Sequence, residues 1–137
     1  MNQHRYLRAY MAGIVVPTIV LVIGVTAFCI ARYVYNFPPP IERIMIFPMA
    51  AVPNLWGFWN MLFIASHSRT HLTIGLHGAL LPFLLVPLGI LLTRALNFQI
   101  PNFASHTFLI LAVVGLTVYY LLWKYVVGFL NRVVNLA

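Results

Sequence analysis

Two groups of residues in this chain have types and spacings that could do chemistry. The first is a set of histidines: His67, His71 and His77 lie close together, with His4 and His106 far from them in sequence. A neutral imidazole ligates metals and tetrapyrroles. A bis-histidine haem needs two rings facing each other from different helices at one depth, which His67 and His77 could approach across a helical hairpin. A bacteriochlorophyll needs one axial ligand, and His77, followed by Gly78, is the best single candidate. Zinc fits less well, because a structural site wants four ligands and neither a cysteine nor a carboxylate is near. The plainer reading is that these histidines sit at a membrane interface, in contact with water and headgroups.

The second group is Pro53, Asn54, Trp56, Trp59 and Asn60, with Pro87 further along. On a helix, Pro53, Trp56, Trp59 and Asn60 share one face by their spacing of three and four. A proline inside a helix frees a carbonyl one turn earlier, here that of Met49 for Pro53 and of Phe83 for Pro87. In hydrocarbon such carbonyls need partners, and Asn54 and Asn60 are the nearest amides. The pattern suits an aromatic-lined polar cavity for a small ligand or ion. It suits helix packing as well, with an asparagine bridging to a neighbour, Gly57 allowing close approach and the indoles filling the bundle.

Other chemistries find no support. Ser66, His67 and Ser68 are adjacent, but a triad needs an orienting carboxylate, and the single acidic residue is Glu42. No glycine-rich phosphate loop or dinucleotide fingerprint is present. The lone Cys29 lies in an apolar run and is expected to pack as a small hydrophobe. No catalytic residue and no metal site is expected.

The elements that would hold these groups follow from composition. The chain has 137 residues, 63% hydrophobic and 7% charged, where a soluble domain has about 25% charged. Lipid is therefore the expected solvent for most of its exterior. The charges cut the sequence into uncharged windows of 23 residues between Arg8 and Arg32, 25 between Arg43 and Arg69, 24 between Arg69 and Arg94, and 29 between Arg94 and Lys124. Each exceeds the ~20 residues a spanning helix requires. The reading is an all-α integral membrane protein forming one domain over 1–137. Its four-helix transmembrane bundle has helices near 10–34, 44–66, 72–96 and 106–125, proline-kinked helices 2 and 3, and an interfacial tail over 126–137 that either continues the helix or lies along the headgroups. The first apolar run is too long for a cleavable signal and reads as a retained anchor. The run Pro38, Pro39, Pro40 breaks the first connection. The second, over 66–71, is short enough to force antiparallel neighbours.

The net charge of +7 comes from cations scattered singly at the ends of apolar runs, where they anchor helices at the phosphate level. No basic face for a nucleic acid exists. Arg5, Arg8, Arg69, Lys124 and Arg132 fall on one side, against Arg32, Arg43 and Arg94 on the other. The excess places both termini in the cytoplasm, in a multi-pass protein of a bacterial inner membrane. Tyr6, Tyr10, Tyr33, Tyr35, Tyr119, Tyr120, Trp123 and Tyr125 form the interfacial belts.

The expected role is that of a small non-catalytic accessory or assembly subunit. Its partners would be the lipid bilayer and other membrane-protein subunits, or further copies of itself. One alternative is an electron-transfer or light-harvesting subunit holding haem or bacteriochlorophyll on His77, with or without His67. The other is a small oligomeric channel or transporter built on Pro53, Asn54, Trp56, Asn60 and Pro87. It lacks the intramembrane carboxylate expected of a proton-coupled pump.

Overall fold

The computed structural model describes residues 4–37, 51–95 and 105–136, and among these every regular element is helical. Helix α1 spans Arg5–Tyr33, α2 Val52–Thr70, α3 Ile74–Ala95 and α4 Ser105–Leu121. Helix α4 runs on through a π-helical segment, Leu122–Val127, into α5, Gly128–Val133. Three stretches are long and apolar enough to cross a membrane: Arg5–Tyr33, Ile74–Leu92 and Leu109–Val133. The described part of α2 is not among them. Its 19 residues include Asn54, Asn60, Ser66, His67, Ser68 and Arg69, which dilute its apolar character.

The boundaries differ from the sequence expectation where polar residues continue a helix. Helix α1 begins at Arg5 rather than near 10, because Arg5, Tyr6, Leu7 and Arg8 are all acceptable helix formers. Helix α2 continues to Thr70 and stops at His71, whose left-handed φ of 50° turns the chain. Thr73 then starts α3, its hydroxyl accepting the Leu76 amide at 3.4 Å. Residues 44–50 of the expected second helix, with Met49, lie outside the described residues, as do the turn prolines Pro38–Pro40.

At the C-terminus the tail from 126 takes the first of its two expected courses and continues the helix to Val133. There Leu136 N–H donates to the Asn131 carbonyl at 2.8 Å and Asn135 N–H to the Arg132 carbonyl at 3.0 Å, with Asn135 at φ 56°. This is the Schellman closure, with asparagine in its left-handed position. Arg8 Nη1 donates to the Val134 carbonyl at 3.0 Å and ties the same end to α1.

Small residues bring the helices together. On α1 the buried positions are Ala9, Ala12, Gly13, Val16 and Pro17. A Cβ on Gly13 would meet the Trp56 carbonyl oxygen at 2.7 Å and the Gly57 Cα at 2.9 Å, so the α1 and α2 backbones touch. Close approach of this kind drives helix association in lipid, where burying apolar surface gains little. Helix α3 makes a second groove at Gly75 and Gly78, which receives Tyr120, Trp123 and Lys124 from the end of α4 and the π segment. The main core joins Val16, Trp56, Leu81, Trp123 and Val127; a smaller one joins Ala9, Phe63 and Ile64.

Among the described residues, the buried positions are concentrated at one end. No residue of α1 after Pro17 is buried, nor any described side chain of α3 after Leu81. Pro17, Pro82 and Pro87 are all interior to their helices. Pro53, expected to kink the second helix, instead occupies the first turn of α2 as described. A missing amide there leaves no bond unmade.

Candidate functional site

Asn60 is the centre of the packed end. It is fully buried on α2, and its Nδ2 donates to the Ala9 carbonyl of α1 and to Asn131 Oδ1 of α5, both at 2.8 Å. Asn131, also buried, returns the bond from its own Nδ2 to Asn60 Oδ1 at 3.0 Å. The two amides thus form a reciprocal pair that joins three helices and satisfies the groups that are costliest to bury. Sequence reading missed Asn131, whose partner is 71 positions away. A signal was present, since Trp123, Val127 and Asn131 continue one helical face at intervals of four.

One turn away, His77 is buried and stacks on Trp59, with ring centroids 4.9 Å apart and planes at 28°. Trp59 Nε1 donates to the His77 carbonyl at 2.8 Å, and His77 Nε2 lies 3.1 Å from the Trp59 carbonyl. The neutral tautomer with hydrogen on Nε2 completes a second reciprocal link, here between α2 and α3. The rings of Phe63 and Trp123 close round the imidazole at 5.3 and 6.1 Å. His67 is exposed; its Nδ1 lies 3.2 Å from the Leu72 carbonyl. Phe63 touches both imidazoles, at 4.9 Å from His67 and 5.3 Å from His77. To act as an axial ligand through Nε2, His77 would have to give up its contact with Trp59. Among the described residues, no three His, Cys, Asp or Glu side chains converge as a metal would require.

The remaining candidates separate. Trp56 is buried against Tyr119 and Trp123, each with ring centroids 5.3 Å away. Pro53 is half-buried. Asn54 is exposed and accepts a hydrogen bond from Tyr10 Oη. Pro87 is exposed, on the part of α3 beyond its last buried residue. Trp56 and Asn60 therefore come together with Trp123 and Asn131, while Asn54 and Pro87 face outward. A cavity does occur in the molecule, but toward Arg5, Lys124 and Arg132.

No protein family, curated protein or solved structure matches the chain.

Proposed function

We propose that this chain is a multi-pass protein of a bacterial inner membrane and a non-catalytic accessory or assembly subunit of a larger membrane complex. Its four helices cross the bilayer as an antiparallel bundle, bent at Pro82 and Pro87, with both termini on the cytoplasmic side. The observation that carries the reading is the uneven packing. Beyond Pro17, α1 has 16 helical residues with no buried position, so along about 24 Å of helix no side chain is enclosed by the bundle. Ile19, Val20, Val22 and Ile23 are each more than half exposed, and Phe83 and Leu91 repeat this on α3. Helices in lipid gain stability by packing against other helices, and here that gain is left open. The partner is accordingly one or more transmembrane helices of a different protein. The non-catalytic part of the reading is supported by the use made of the reactive groups. Asn60, Asn131 and His77 spend their polar atoms on holding helices together.

The test is photo-crosslinking of the full chain in its native membrane, with a benzophenone side chain at Ile23 and, separately, at Val86. Discrete adducts with another polypeptide are expected at both. Adducts with lipid alone, or only with a second copy of this chain, would overturn the reading.

A further inference from the structure

At the packed end of the molecule five elements meet round a half-open cavity of about 370 Å³. Its rim carries Arg5 from α1, His67 from α2, Lys124 from the π segment and Arg132 from α5. All four are exposed, whereas its floor includes the buried Phe63, Ile64 and Asn131. No acidic side chain exists among the described residues, so nothing described there neutralises the three permanent cations. Three like charges held round one hollow repel each other, and an anion between them removes that cost. Guanidinium groups present paired donors that match phosphate oxygens, and an ammonium adds a point charge.

Depth points the same way. Arg5 and Arg32 close the two ends of α1, separated by about 40 Å of helix. The headgroup-to-headgroup span of a bilayer is about 40–45 Å. With α1 crossing the membrane, Arg5 and the cavity beside it lie at the level of the lipid phosphates. Tyr120 and Tyr125 flank Lys124, with Nζ 5.6 and 5.3 Å from their ring centroids, as expected of aromatics at that depth.

We propose that this cavity binds a phosphate group, with Arg5, Lys124 and Arg132 as its anion-holding residues and the apolar floor taking adjacent carbon. The inference does not depend on the partner-subunit reading. The phosphate belongs either to an anionic lipid headgroup or to free phosphate, and the two sources are separable. The full chain in neutral detergent is titrated in one arm with phosphatidylglycerol and in the other with inorganic phosphate, with phosphatidylcholine as the uncharged comparison. Bound adducts are counted by native mass spectrometry, and thermal unfolding is followed by circular dichroism.

A one-to-one phosphatidylglycerol adduct and a rise in unfolding temperature are expected, both weakened at least about tenfold in apparent affinity by R5Q/R132Q. K124Q alone should weaken binding less. The charge-matched variant R69Q/R94Q, which leaves the cavity intact, should bind as the parent does. Saturation by inorganic phosphate with the same variant pattern would support the site and assign it to the free ion. Equal binding of phosphatidylcholine, persistence of the adduct in R5Q/R132Q and K124Q at parental helicity, or an equal loss in R69Q/R94Q would overturn the proposal.

Discussion

The reciprocal amide pair permits a quantitative test, because removing one half of it should cost more than removing both. In Asn131→Leu, Asn60 keeps only its bond to the Ala9 carbonyl and holds a buried oxygen and a buried N–H without partners. Interhelical hydrogen bonds in membranes are worth about 0.6 kcal/mol each on average. An orphaned buried polar group adds about 1–3 kcal/mol. The single variant should therefore lose about 2–3 kcal/mol, and Asn60→Leu a similar amount by orphaning Asn131. In the double variant no side-chain amide is left stranded, and leucine has the same number of side-chain heavy atoms as asparagine. Its loss should be about 2 kcal/mol, short of the sum of the singles by about 2–4 kcal/mol. Reversible unfolding of the full chain in mixed micelles, with all four species of the cycle measured together, gives this coupling. Sites that do not interact add within about 0.3–0.5 kcal/mol. A coupling no larger than that would refute the claim that these amides satisfy each other.

Two further outcomes concern the helix contacts. Gly13→Ala places a methyl group 2.7 Å from the Trp56 carbonyl oxygen, a backbone atom that cannot rotate away; the α1–α2 contact should open and unfolding free energy fall by about 1–3 kcal/mol in the same micelle assay. Gly24→Ala, with nothing within 4 Å of the added carbon, should be neutral. Trp59→Phe keeps an aromatic ring against His77 but deletes the 2.8 Å bond to the His77 carbonyl. It should cost about 0.6–1.7 kcal/mol, and an unchanged stability would show that the indole N–H bond contributes nothing to the α2–α3 hairpin.

Helix positions were legible because charge spacing reports where a chain can and cannot cross lipid. The window between Arg8 and Arg32 is helical throughout, and that between Arg69 and Arg94 is helical apart from the turn at 71–73. The faces of those helices were far less legible. A helix surrounded by lipid is apolar all round, so no polar stripe marks its outer side and periodicity cannot say which residues are buried. Gly75 and Gly78 show the difficulty, since only the position of Tyr120 and Trp123 gives them a purpose. Asn60 stood out as a polar residue in an apolar run, yet its two partners, Ala9 and Asn131, come from the opposite ends of the sequence. The C-terminal segment was open to two readings, since a dozen residues of mixed polarity can continue a helix or lie along the headgroups. Its helix is sustained by tertiary bonds, from Asn131 to α2 and from Arg8 to the Val134 carbonyl.

The buried amides and imidazole and the exposed cations of this molecule meet two fates, and depth explains the division; the indole N–H groups of Trp56 and Trp123 stand apart, buried with no hydrogen-bond partner among the described residues. Within the packed core, each amide or imidazole noted above is turned on another: Asn60 on Asn131, His77 on Trp59. Water is not there to serve as the alternative partner, so a group left free for a ligand would weaken the apoprotein by its full desolvation cost. At the end of the bundle, Arg5, Lys124 and Arg132 are exposed round a cavity whose described surroundings hold no carboxylate. Solvent and headgroups can sustain unpaired charge at that depth, so this is where binding capacity is kept at little cost to stability. On the proposed readings, recognition then falls to the cationic rim and to the apolar flanks of α1 and α3 that carry no buried residue.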